Sequence, residues 1–362
     1  MLLSIDILEL LWGLEERMYD FERLKATMRS PSYFRVFEVK SSEWFMGSKW
    51  SIYLVGKYCI STFNALAKLS RVLKSERYSY AGLKDAYSIS YQYVSFINPR
   101  VSPSYINLGD VRAWLIGRGS IIRPGSHTGN IFRITLEVDD PDKVAYNLSR
   151  VKLIPSFYGP QRFGVERPST HMYGLALARM EPGLLAREFK YRYPGEDIDT
   201  LSIEEKLLQE ARTEINPWIL VDESPRIYTE ALQAYLYNRA LSRALRSRKI
   251  DQIRESIVTI RYCNETISIP AVRLPSRELV EKETQWAKIV KSICLEEGIN
   301  IKQLKTLEPS LRPIYYPIKL RSTTIKDNTI TFTICLPPSA YATILLREIV
   351  ELETVNKCKP NK

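Results

Sequence analysis

The chain is short of the side chains that most enzymes use for catalysis. Only two histidines occur, His127 and His171, which excludes a multi-histidine metal centre. Gly125-Ser126-His127-Thr128-Gly129 sets a serine beside a histidine, but chain neighbours rarely reach the geometry of a nucleophile and its base. The segment reads as a glycine-flanked turn. The five cysteines, Cys59, Cys263, Cys294, Cys335 and Cys358, are scattered and lack any C-x-x-C pair. Neither a disulfide framework nor a zinc site is expected from them, and a reducing cytosol is the default compartment. No G-x-x-x-x-G-K-[ST] loop occurs, and Gly117-Arg118-Gly119 lacks the third glycine of a dinucleotide fingerprint. Catalysis on this chain therefore rests on a carboxylate.

The partner is anionic by charge. Lys and Arg total 52 against 41 Asp and Glu, a formal charge of +11 over 362 residues, which points to nucleic acid before an anionic membrane. The 22 Tyr and 11 Phe interleave with these cations and suit stacking on unpaired bases, although any single ring is first of all a core residue. No apolar stretch is long enough to cross a bilayer, and Met1-Leu2-Leu3-Ser4-Ile5 meets Asp6 and Glu9 without a basic flank, so it is no signal peptide. The length fits two domains.

Elements must position the chemistry. Phe132, Ile134, Leu136 and Val138 alternate with Arg133, Thr135 and Glu137, the pattern of a half-buried strand. Phe34 to Val39, Trp50 to Val55 and Gln92 to Phe96 are also strand-like. Phe63, Leu66, Leu69, Val72 and Leu73 recur at helical spacing behind the N-cap candidate Ser61-Thr62. After a punctuated stretch from Pro155 to Pro168 the pattern turns helical, with Leu232, Tyr235, Leu236 and Leu245 on one amphipathic segment. Arg239, Arg243 and Arg246 share a face there, as a phosphate track or, more simply, a solvated face. Ile330 to Leu336 alternates again, and a helix is predicted from about Ala340 to Leu352 with Ser339 as its cap. This last unit reads as a return to the first sheet.

Four segments carry a resemblance. Ala81-Gly82-Leu83-Lys84-Asp85 with Ser90-Tyr91-Gln92, Gly129-Asn130-Ile131-Phe132, Ser156 to Gly164, and Leu336-Pro337-Pro338 with Tyr341-Ala342-Thr343 and Arg347-Glu348 resemble, in order, the motifs of the TruD family of tRNA pseudouridine synthases. Weaker echoes lie at Pro31 to Glu38 and Gln233 to Asn238. The resemblance implies an α+β fold. Its catalytic domain (1–163 and 313–362) would carry a mostly antiparallel or mixed sheet flanked by helices, with an inserted α/β TRUD-type domain at 164–312. It implies a cytoplasmic isomerase that converts a tRNA uridine to pseudouridine, position 13 being the family's usual target, without cofactor, metal or membrane. Oligomeric state stays open.

The resemblance places the catalytic carboxylate at Asp85. On Lys-Asp alone, a charged turn residue is the simpler reading; the surrounding motif reverses it. The resemblance also makes Phe132 the ring that stacks on the flipped base and puts Lys84, Asn130, Gln161, Arg162 and Phe163 in the same cleft. Gly82 would allow close backbone approach to the nucleotide. Several positions depart from the pattern. Ala86 stands where a basic residue is usual, Ser90 and Ser156 replace Thr and Asn, and Met28 falls where the family has a basic residue. Arg29 or Lys25 would have to substitute for that cation. Two other classes remain in view: a non-catalytic RNA-binding paralogue, and a metal-dependent nuclease using Asp85.

Overall fold

The structure, a computed structural model, describes residues 5–164, 168–179, 181, 184, 226–248, 250–300 and 307–353. The chain divides into two compact units. A sheet unit comprises Phe21–Ile154, Thr259–Ile267 and Tyr316–Lys362, and a helical unit comprises Met1–Asp20, Pro155–Val258 and Ser268–Tyr315. The first twenty residues thus group with the middle of the chain, whereas the sequence reading kept them with the sheet.

The sheet unit is built on a mixed sheet of eleven strands among the described residues. In chain order these are β1 (Leu24–Thr27), β2 (Phe34–Glu38), β3 (Trp50–Tyr58), β4 (Tyr78–Tyr80), β5 (Ile89–Ile97), β6 (Tyr105–Asn107), β7 (Val111–Gly119), β8 (Asn130–Val138), β9 (Lys319–Lys326), β10 (Thr329–Leu336) and β11 (Val350–Glu353). The spatial order is β9-β10-β8-β2-β5-β3-β7-β6, with β4 added to β5 and β1 joined to both β8 and β11. Strand β10 lies antiparallel to β8 from Thr329↔Glu137 to Leu336↔Asn130, so the C-terminal segment does return to the first sheet. One face is covered by helices α1 (Thr62–Leu73), α2 (Pro141–Arg150) and α3 (Ala342–Ile349). Tyr53, Val55, Val94, Phe96 and Ala113 meet Ala65, Leu66, Leu69 and Leu73 of α1 there. Ser61 caps α1 by accepting from the Asn64 N–H, as its position implied.

The predicted C-terminal helix is shorter than expected. It runs Ala342–Ile349, with Ser339 outside it at a positive φ of 66°. Val350 to Leu352 continue instead as β11, parallel to β1, because pairing with Leu24 to Ala26 satisfies their backbone groups. The cysteines also differ from expectation. Cys263 and Cys335 form a disulfide, and Cys59 is disulfide-bonded as well. Their separation of 72 residues has no local signature; a hairpin tip carrying Tyr262 and Cys263 brings the pair together beside Val39 and Ile131.

The helical unit centres on the long helix Arg226–Arg246, with Thr170–Arg179 and Gln285–Glu296 against it. The arginine row on that helix is closed by carboxylates. Arg239 meets Glu15, Glu296 and Glu297, Arg243 meets Glu296, and Arg246 meets Glu15 and Glu16.

Candidate active site

Asp85 lies in the segment 81–88 that connects β4 to β5. Two donors hold its backbone carbonyl: the Lys57 ammonium, and the Ser88 hydroxyl at 2.9 Å. The preceding residue is fixed by Thr62 at the start of α1. The Lys84 N–H donates to the Thr62 hydroxyl at 3.1 Å, and that hydroxyl lies 3.2 Å from both the Lys84 carbonyl and Gln92 Oε1. The segment therefore rests on the helix-covered face of the sheet at a helix N-terminus, and Asp85 itself is half-buried.

Lys57 arrives there by strand alternation. Ser51, Tyr53 and Val55 precede it on the buried side of β3, and the lysine continues that side at 2% exposure. Its ammonium also donates to the Ile60 carbonyl at 2.9 Å. Burial lowers its pKa to about 8, with the negative charge of Asp85 opposing that fall and Lys84 adding to it. Across the sheet, Phe132, Val36, Ser90 and Lys57 stand in one row, each opposite the next. Phe132 is buried, with its ring edge-on to Phe34 at 5.8 Å.

Beside this row runs a directional chain of side chains. Lys84 turns toward a buried ion pair with Glu38 at 2.8 Å, and donates to Asn130 Oδ1 at 2.9 Å. Asn130 Nδ2 lies 3.2 Å from His127 Nε2. Burial, and next the charge of Lys84, lowers His127 to about 3, so the ring is neutral at ordinary pH and its Nε2 accepts from Asn130. The side-chain amide of Asn130 is thereby set in one orientation. Gly82 makes room for this arrangement, since a Cβ there would stand 3.3 Å from the Lys84 ammonium.

The structure brings Asp85, Lys84, Asn130 and Phe132 to one region of one sheet face. Arg29 stands elsewhere. It pairs with Glu137 at 2.5 Å, seven residues or about 23 Å along β8 from Asn130. Lys25 pairs with Glu353 at 3.3 Å. Gln161, Arg162 and Phe163 belong to the helical unit. Gln161 is half-buried there, and Arg162 pairs with Glu230 at 2.7 Å. Phe163 is fully buried, stacked on Trp12 at 6.0 Å and edge-on to His171 at 5.3 Å. Sequence reasoning missed Lys57, Glu38 and His127. The available signal was a lysine and a glutamate occupying core positions of alternating strands.

This mixed α/β fold, a helix-covered sheet with the Asp85 segment above a cross-strand row, is shared with proteins of a known family. The family model for tRNA pseudouridine synthase D (TruD) matches residues 12–216. A Saccharolobus solfataricus protein named "Probable tRNA pseudouridine synthase D" is 29% identical, over 93% of this chain and 95% of its own length. A Sulfurisphaera tokodaii protein of the same name is 30% identical, over 92% of this chain and 96% of its own length. The crystal structure of a TruD-type protein from Methanosarcina mazei shares the fold at a TM-score of 0.67 and 19% identity, covering 96% of this chain and 99% of that one. The chain belongs to the TruD family of tRNA pseudouridine synthases, a family of isomerases.

Proposed function

We propose that Asp85 is the catalytic residue with which this chain isomerises a tRNA uridine, position 13 by family habit, to pseudouridine. The reaction breaks the N1–C1′ bond, turns the uracil, joins C5 to C1′, and releases the C5 hydrogen while N1 gains one. Asp85 either attacks C1′ to form a covalent sugar intermediate or removes a ribose proton to open a glycal route. Phe132 holds the extruded base by stacking, worth about 1–3 kcal/mol. The sheet unit is the core of the catalytic domain in this reading, and the helical unit, which takes in most of the proposed insert 164–312 together with Gln161, Arg162 and Phe163, helps hold RNA. Action on tRNA assigns the protein to the cytoplasm. The Cys263–Cys335 bridge departs from the reducing compartment that the scattered cysteines suggested, so this assignment rests on action on tRNA alone. No described helix is long and apolar enough to cross a membrane.

One observation carries the role of Asp85. Its backbone is pinned by Lys57 and Ser88, and the same lysine sets a buried positive charge in the field of its carboxylate. Lys57 is then the positioning cation that Met28 does not supply. The test is tritium release from tRNA labelled at uridine C5. Asp85→Ala should lower it by at least ~10²–10⁴-fold, the range for losing a positioned catalytic group. Unchanged release would end the assignment. A chelator should leave release intact and the RNA uncut; cleavage that the chelator stops would favour a nuclease.

A further inference from the structure

The face of the sheet opposite Asp85 carries exposed arginines and a row of stacked rings. Register sets its composition. Arg35 of β2 lies directly opposite Arg133 of β8, both exposed, with Phe37 two residues further along β2. Like charges directly opposite one another destabilise a sheet, and neither arginine has a carboxylate partner among the described residues. Arg35 donates only to the Ser32 carbonyl, at 3.0 Å. The nearby acid on this face, Glu137, is already engaged by Arg29 and Tyr33.

Rings continue the surface across the neighbouring strands. Phe37 stacks parallel to Tyr91 at 5.0 Å, Tyr91 lies 6.4 Å from Trp114, and Trp114 lies 5.7 Å from Tyr105. The ladder crosses β3 at Gly56, where a Cβ would meet Tyr91 at 3.0 Å and Trp114 at 3.3 Å. Only a residue without a side chain lets those two rings close over the strand. Phe37 and Tyr105 remain 36% and 46% exposed, and Arg112, opposite Gly56, adds a third exposed cation without a carboxylate partner among the described residues.

We propose that this arginine and ring surface binds an unpaired stretch of RNA outside the active site. The proposal rests on reading the chain as an RNA-modifying enzyme and adds a site to it. A nucleotide brings a phosphate and a flat base at each step, and β2 carries an arginine and an aromatic residue on one face, about 7 Å apart along the backbone. Guanidinium groups suit phosphate, and ring edges and faces suit bases of any sequence. A second copy of the chain would set these cations against themselves, so charge disfavours self-association.

The experiment compares wild type, the double variant Arg35→Ala/Arg133→Ala, Phe37→Ala and Asp85→Ala, by anisotropy of a fluorescent short oligouridine across a salt series. The arginine pair should weaken binding about tenfold or more and flatten the salt slope by about 1.4, two phosphate contacts on a single strand. Phe37→Ala should weaken binding with the slope unchanged, and ultraviolet crosslinks should fall on Phe37, Tyr91 or Trp114. Asp85→Ala should bind as wild type does while losing tritium release. Wild-type affinity in the arginine pair would overturn the second surface and leave the catalytic reading standing. So would crosslinks confined to residues 81–88, or tighter binding of an oligoglutamate than of oligouridine. Full tritium release by Asp85→Ala would sink the catalytic reading and leave the binding result intact.

Discussion

Two groups of arginines in this molecule live in opposite surroundings. On the helix Arg226–Arg246, Arg239 and Arg243 reach Glu15, Glu296 and Glu297 from short range, and the Arg243 hydrogen bond holds the Glu296 carboxyl down at about 2. On the open sheet face, Arg35, Arg112 and Arg133 have no such carboxylates among the described residues. Both groups contribute to the same +11. A cation whose field is already closed by a neighbour stabilises the fold, and only one left open can be spent on a phosphate. Net charge counts the two alike. The buried lysines repeat the contrast at smaller scale, since Lys84 meets the Glu38 carboxylate whereas Lys57 meets backbone carbonyls.

The lysine contrast gives the largest expected effect on stability. Lys84→Met leaves Glu38 buried and unpaired, which should cost about 3–5 kcal/mol in denaturant titration. Lys57→Met abandons no carboxylate ion pair and should cost far less, while misplacing Asp85 should lower turnover up to ~10²-fold. Equal stability losses in the two variants would break the distinction. If Lys57 acts through its charge, wild-type activity should also fall as pH rises through about 8, and Lys57→Met should lack that limb.

The two buried histidines come next. Both are lowered to about 3 by burial, His127 in the sheet unit and His171 in the helical unit. Between that value and the unfolded 6.5 the unfolded chain binds more protons, so stability is full above 6.5 and falls as pH drops. At pH 5 the loss should be roughly 2 kcal/mol per histidine. His171→Phe, in its ring-lined site, should remove about half of the pH slope in thermal melts; an unchanged slope would assign the loss to other groups.

Arg239→Ala leaves Glu297 to Arg179 and Tyr235 but removes the arginine that joins it to Glu15, and should cost about 1–3 kcal/mol, with RNA affinity unchanged. Arg35→Ala/Arg133→Ala should stay within about 0.5 kcal/mol of wild type in the same melts. A large loss there would mean that the open face has a structural partner after all.

The outcome for the sequence reading divides along physical lines. Period-two alternation marked β8 and β10 because each has one wet face, and helical spacing behind Ser61 marked α1. Strand β9 escaped because all eight of its residues are exposed, so no side of it is apolar. That Lys84 and Asp85 share a region with Asn130 and Phe132 was expected from two short motifs well separated in the chain, and the sheet brings those motifs together. Lys57 was not: its separation of 28 positions from Asp85 hides a contact that register alone creates. Arg29 had the right type in the right stretch of chain, but Glu137 was the carboxylate within its reach.

The Cys263–Cys335 bridge has a consequence for the chain as a covalent object. It closes a loop of 72 residues, which restricts the unfolded ensemble by roughly 4 kcal/mol in the chain-entropy picture. Within that loop lies Ser268–Tyr315, a whole segment of the helical unit, so both its ends are anchored through residues of the sheet unit. A protease that nicks the chain anywhere between 264 and 334 would leave two fragments still joined, running as one species until a reductant parts them.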